Sequence, residues 1–159
     1  MTTGNRLGVT RFATPSDTEI VATRLVEAPR EQVFDAWTKP EHVRRWMLGP
    51  DGYTMPVCEI DARAGGAWHF VWRGPGGNEV GMRGEYREVA PPERLISTEH
   101  WGDPWPETLN AFEFVEDDAG TLIICTIVYP TTAARDAALA TGVKEGMNDS
   151  FTRLAAFLG

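Results

Sequence analysis

One spacing near the C-terminus constrains the architecture more than any other feature. Leu139, Val143, Met147, Phe151, Leu154 and Leu158 follow one another at intervals of four, four, four, three and four, so all six share one face of a helix through residues 131–158. Such a helix, about 27 residues long, would extend roughly 40 Å, and its apolar stripe needs a cover of similar length. The preceding chain offers one. Between residues 53 and 129 the apolar period drops to two, in runs at 53–61, 66–73, 80–89, 94–101, 108–115 and 121–129. Short segments rich in Gly, Pro, Asn and Asp separate them. Connections of hairpin length exclude parallel crossovers, so these runs predict an antiparallel sheet.

The N-terminal third completes the pattern. Residues 1–18 are polar, broken by Gly4, Gly8 and Pro15, with one strand-like run at residues 9–12, and read as a loose arm. Residues 19–27 form the first strand. Pro29 suits the start of a short helix that carries Val33, Phe34 and Trp37 on one face. Thr38-Lys39-Pro40-Glu41 has the pattern of a capping box, opening a second short helix with Val43, Trp46 and Met47. The expectation is an α+β domain over residues 19–159. Its curved seven-strand antiparallel sheet wraps a long C-terminal helix, and two short helices follow strand one.

Composition excludes several functions. With 15 Lys and Arg against 23 Asp and Glu the net charge is −8, a field that repels nucleic-acid backbones and anionic lipid. No apolar stretch approaches the roughly 20 residues that cross a bilayer, and residues 1–8 lack a secretory apolar region, so a cytoplasmic location is expected. Cys58 and Cys125 each sit in an apolar run and read as buried free thiols rather than a disulfide. His42, His69 and His100 have no zinc-like spacing, and no phosphate-binding loop, dinucleotide fingerprint or nucleophile elbow occurs. The expectation is therefore no metal, no cofactor and no recognisable catalytic set.

Four segments together resemble a known family. They are residues 22–46 (ATRLVEAPREQVFDAWTKPEHVRRW), Asp61-Ala62-Arg63-Ala64-Gly65-Gly66 with the strand after it, residues 84–95 (GEYREVAPPERL), and residues 146–158. In this order they resemble the Hsp90-ATPase-activator-homologue (AHSA1-like) branch of the START/Bet v 1-like (SRPBCC) superfamily. The resemblance covers roughly residues 19–158. It implies a helix-grip fold with an internal cavity and, across the superfamily, roles from lipid carriage to polyketide cyclisation to co-chaperone work. It implies no shared catalytic residues. One departure is Met147, which follows Gly146 where the family often has tryptophan.

Alternation along the strands then selects candidate ligand contacts. Trp68, Phe70 and Trp72 share one sheet face and Ala67, His69, Val71 and Arg73 the other, so the aromatic trio should point into the grip. There the rings could stack on a planar ligand or make a plain aromatic core with Met147 and Phe151. Parity adds Met82 and Tyr86 on the next strand, and Asn110, Phe112 and Phe114 on another. A buried Tyr86 phenol or Asn110 amide needs a hydrogen-bond partner, from a ligand or from the chain itself. His100 is the best general base by residue type, with Glu99 facing the opposite way. On the last helix, Gly142, Gly146 and Ser150 make a line of small residues, for close approach to the sheet or for a portal.

The principal reading is a domain that binds a hydrophobic small molecule (lipid, aromatic or polyketide-like) between sheet and helix. Two alternatives stand beside it: a cyclase-like enzyme that uses His100 or Tyr86 to move protons, and a co-chaperone-like domain whose partner is an Hsp90-type chaperone.

Overall fold

The structure is a computed structural model and describes residues 7–49 and 51–159. Eight strands form one antiparallel sheet: β1 (Thr10–Ala13), β2 (Glu19–Val26), β3 (Thr54–Ile60), β4 (Ala67–Arg73), β5 (Glu79–Ala90), β6 (Arg94–Glu99), β7 (Thr108–Asp117) and β8 (Gly120–Val128), in the spatial order β1-β2-β8-β7-β6-β5-β4-β3. Helices α1 (Arg30–Thr38) and α2 (Pro40–Trp46) follow β2, and α3 (Thr132–Ala140) and α4 (Val143–Leu158) follow β8.

The α+β class, the strand order along the chain and the helical coverage agree with the reading of the sequence. The sheet has one strand more. β1 lies within the segment read as a loose arm, of which residues 1–6 are outside the described residues; Thr10–Ala13 pairs with β2 from Thr10↔Arg24 to Ala13↔Val21. Its four residues alternate partly buried and exposed, and pairing covers a β2 edge that would otherwise present open backbone groups.

Two further differences concern helix ends. The C-terminal helix is two helices, because Gly142 adopts φ +90° and stops α3 at the Thr141 cap. The four-residue interval from Leu139 to Val143 survives the break, so periodicity alone does not reveal it. The Thr38 hydroxyl does not cap α2 either. It donates to Phe34 O at 2.9 Å within α1, and Lys39 O accepts the first α2 amides, from His42 and Val43. Pro40, which has no N–H to satisfy, occupies the first turn.

The core lies between the concave sheet face and the helices. Trp37 of α1 is its hub, with ring centroids 4.8 Å from Trp46, 5.6 Å from Phe112, 5.3 Å from Phe114 and 6.3 Å from Phe151. Buried polar bonds pin the helical corner: Trp46 Nε1 donates to Ala36 O (2.8 Å) and Thr121 Oγ1 to Ala28 O (2.6 Å). Cys58 and Cys125 are buried and unpaired, as expected.

Gly84 on β5 faces Trp68 across the ladder. A Cβ there would stand 1.9 Å from Thr98 O and 2.6 Å from the Trp68 ring, so the indole lies flat in space that only glycine leaves. Gly84→Ala should destabilise the fold by about 3 kcal/mol or more. Gly81→Ala, whose methyl meets Phe70 O at an ordinary 3.7 Å, should stay within about 1 kcal/mol of the parent. Urea midpoints compare them; similar midpoints for the two variants would disprove the close approach.

Candidate functional site

Register decides which side chains share the grip. Trp68, Phe70 and Trp72 are buried on β4, and opposite them on β5 stand Gly84, Met82 and Val80. Their rings pack in sequence, Trp68 to Phe70 at 5.0 Å and Phe70 to Trp72 edge-on at 6.0 Å. The inward row continues through Tyr86↔Ser97, Ser97↔Asn110 and Asn110↔Ile127. Leu95, Phe112 and Cys125 make the next row. Of the residues expected in the site, Trp68, Phe70, Trp72, Met82, Tyr86, Asn110 and Phe151 are buried, and Phe112 and Met147 are partly buried against the same core.

His100 is the exception. Its backbone pairs with Arg83, which in turn pairs with His69, so His100 belongs to the row on the outer face of the sheet. Its Nδ1 accepts the Gly102 amide at 3.3 Å. It stands away from the trio and is not placed to serve it as a base. Gly146 also differs from expectation: a Cβ there would meet nothing within 4 Å, so close approach to the sheet does not explain it.

The polar end of the grip is organised by a residue that the sequence reading used only as a neighbour of His100. Glu99 accepts from Asn110 Nδ2 at 2.7 Å and from Trp101 Nε1 at 2.8 Å, while Asn110 Oδ1 accepts from Thr108 Oγ1 at 2.8 Å. These bonds satisfy the Asn110 amide from within the chain. They also hold the Trp101 ring parallel to Trp72, centroids 5.7 Å apart and planes 15° from parallel, with Trp101 itself 43% exposed. Strand parity carried the signal: Leu95, Ser97 and Glu99 alternate, so an inward Leu95 brings Glu99 inward.

Electrostatics follow from burial. Desolvation raises the Glu99 carboxyl above the usual carboxylate range, against the opposing effect of its Trp101 and Asn110 hydrogen bonds. Burial, and then the Glu99 charge, pushes Tyr129 up to about 12, and desolvation raises Cys125 and Tyr86 as well. Tyr129, Cys125 and Tyr86 are therefore neutral at physiological pH. Trp72 Nε1 donates to Met47 O at 2.7 Å, but Trp68 Nε1 is buried with no acceptor among the described residues. Among the described residues, no three His, Cys, Asp or Glu side chains are grouped to hold a metal, and no helix is long and apolar enough to cross a membrane.

Hollows at the surface formed by the described residues include these two. One, of about 470 Å³, is lined by Arg87, Thr98, Leu109, Val128 and neighbours; the other, of about 380 Å³, lies between β1 and α4. Neither is lined by the trio. The middle of the grip, where the resemblance implies an internal cavity and the residues alone left a plain aromatic core equally open, is crossed by the Trp37, Phe112, Phe114 and Phe151 rings.

Comparison with known proteins agrees with this architecture. Residues 27–159 match the family described as Activator of Hsp90 ATPase homolog 1-like protein. The chain belongs to that family. A solved protein of Rhodobacter sphaeroides is similar at 29% identity, with 94% of this chain and 98% of that one covered and a TM-score of 0.90. Protein Ms6760 of Mycobacterium smegmatis shares the fold at 23% identity, 94% and 96% coverage and TM-score 0.83. One from Staphylococcus epidermidis is 26% identical over 91% and 92%, with TM-score 0.80. No curated protein matches the chain.

Because the folded state holds the Glu99 proton more tightly than the unfolded chain does, this group favours folding most at pH below the ordinary carboxylate range. That contribution is lost as pH rises through the ordinary value toward the raised one. Glu99→Gln removes the titration and keeps an acceptor for Trp101. Its melting temperature should therefore improve relative to the parent as pH rises from about 4 to about 7. A difference that moves the other way with pH would show that the ionised form is the favoured one.

Proposed function

We propose that this helix-grip domain binds a hydrophobic small molecule, of lipid, aromatic or polyketide-like character, between the sheet and the α3–α4 pair, with an oxygen of the ligand on Trp68 Nε1. One observation carries the reading: a buried indole N–H without an acceptor, on the strand that also presents Phe70 and Trp72. An unmet buried donor costs about 1–3 kcal/mol, and a ligand carbonyl or hydroxyl would return much of it. Phe112, Met147, Val143 and Leu139 are only partly buried against the core and would gain cover from the same guest.

Room for the guest comes from α3. That helix has no buried residue, and the left-handed Gly142 separates it from α4, whose Phe151, Leu154 and Leu158 are anchored in the core. Swinging α3 outward exposes the Leu139 side of the grip at little cost in buried area. Asn110 and Glu99, already bonded to each other, then form a fixed polar wall rather than a pair of ligand contacts.

Titration of aromatic and acyl compounds, followed by tryptophan emission and melting temperature, tests this. At a hundred times the dissociation constant the fold should gain about 2.7 kcal/mol. Trp68→Phe removes the donor and part of the buried ring; it should still fold, at a somewhat lower melting temperature, and bind about two- to tenfold more weakly. Equal affinity in that variant, or no response from the parent across a broad library, would refute the reading. The family's description raises the other one, association with an Hsp90-type chaperone, and a complex with purified Hsp90 in the absence of any small-molecule response would favour it.

A further inference from the structure

Arg24 lies in the middle of β2 and is 4% exposed. A guanidinium this deep ordinarily faces a carboxylate, because its desolvation is costly without a counter-charge. Arg24 has none. Its Nη1 donates to Thr10 Oγ1 at 2.8 Å and to Asn148 Oδ1 at 3.5 Å, both neutral acceptors, and its buried Nε has no partner among the described residues. Burial alone lowers its pKa, with no acid acting in the other direction. Residues 1–6 and Pro50 contribute no acidic side chain.

The two residues that Arg24 does bond line the hollow between β1 and α4. Gly8, Val9, Thr10 and Phe12 form one wall of that groove and Lys144, Glu145 and Asn148 the other. Lys144 extends across it, with Nζ 5.8 Å from the centre of the Phe12 ring. The lining thus holds one cation, Lys144, two neutral polar groups and an apolar side made by Val9 and Phe12, and Arg24 lies behind it, bonded to Thr10 on one wall and Asn148 on the other. Glu145 is the one carboxylate lining it.

We infer that this groove is a binding site for a small organic monoanion, a carboxylate, whose head lies between Arg24 and Lys144 and whose apolar body rests on Val9 and Phe12. The charge count favours one negative charge over two: Arg24 and Lys144 against Glu145 leave a single uncompensated positive charge. The planar guanidinium suits a carboxylate, which can accept two of its N–H groups together. The site stands apart from the proposed grip ligand: it lies at the β1 edge of the sheet, whereas the aromatic trio is on β4, near the other edge.

The test follows the Arg24 Nε–H resonance by NMR, with calorimetry in parallel, while octanoate or benzoate is added. Binding should shift that resonance and the amides of residues 8–10. Octanol and benzamide, which keep the body and lose the charge, should bind at least about tenfold more weakly. Lys144→Gln, an exposed change, should weaken octanoate about threefold, and Glu145→Gln should tighten it by a similar factor. A purely structural Arg24 predicts neither change, so unaltered affinity in both variants overturns the site. So does octanol binding as well as octanoate, inorganic phosphate binding more tightly than the carboxylates, or an Arg24 signal unmoved by saturating octanoate. Trp68→Phe should leave octanoate affinity in the groove unchanged, which separates this result from the fate of the grip ligand.

Discussion

Trp37 is where the layers of this molecule meet. Its indole touches the α2 ring of Trp46, the β7 rings of Phe112 and Phe114 and the α4 ring of Phe151. The four neighbours come from three elements, α2, β7 and α4, so the position of α1 sets the distance between the sheet and the C-terminal helix. Aromatic pairs add about 0.5–1.5 kcal/mol beyond area burial, and four share this ring. The filled middle of the grip follows: rings that hold the layers together also occupy the space between them. Free volume is consequently displaced to the margins, around Leu109, Val128 and Tyr129 and between β1 and α4.

At those margins the molecule places its unusual polar groups. Glu99 is drawn inward by strand parity and kept there by two N–H donors, one of which belongs to the half-exposed Trp101. The same bond therefore satisfies a carboxyl and lays an indole over Trp72, closing the end of the trio. Arg24 is its opposite in charge and in circumstance, a buried cation held by neutral oxygens from β1 and α4. One acid and one base lie on the concave face of a single sheet without pairing. Strand register separates them: Glu99 is level with Thr108, and Arg24 with Ile123 and Thr10.

Strand parity was legible in the residues to a useful depth. It placed Trp68, Phe70, Trp72, Met82, Tyr86, Asn110 and Phe112 on the inward face and His69 on the outer one, all of which the structure shows. It could equally have placed Glu99 inward and His100 outward. Both conclusions follow from Leu95 alone. The break at Gly142 was less accessible, because a helix that stops and restarts after whole turns leaves the apolar spacing intact. β1 was legible in part: residues 9–12 read as strand-like, but so short a run becomes a strand only when a partner edge is waiting.

By itself the sequence determined the elements and their faces: the two-residue and four-residue periods, the proline and glycine boundaries, and the antiparallel connections are local properties of neighbouring residues. Tertiary structure alone decided which faces met, and with what left between them. Arg24 and Asn148, Glu99 and Asn110, and Trp72 and Trp101 come together through register, sheet curvature and rotamer, none of which a local pattern encodes. Whether the grip is hollow is a question of the same kind. Volume is the small remainder after many side chains from distant segments are packed, and a remainder is fixed only when every one of them has its place.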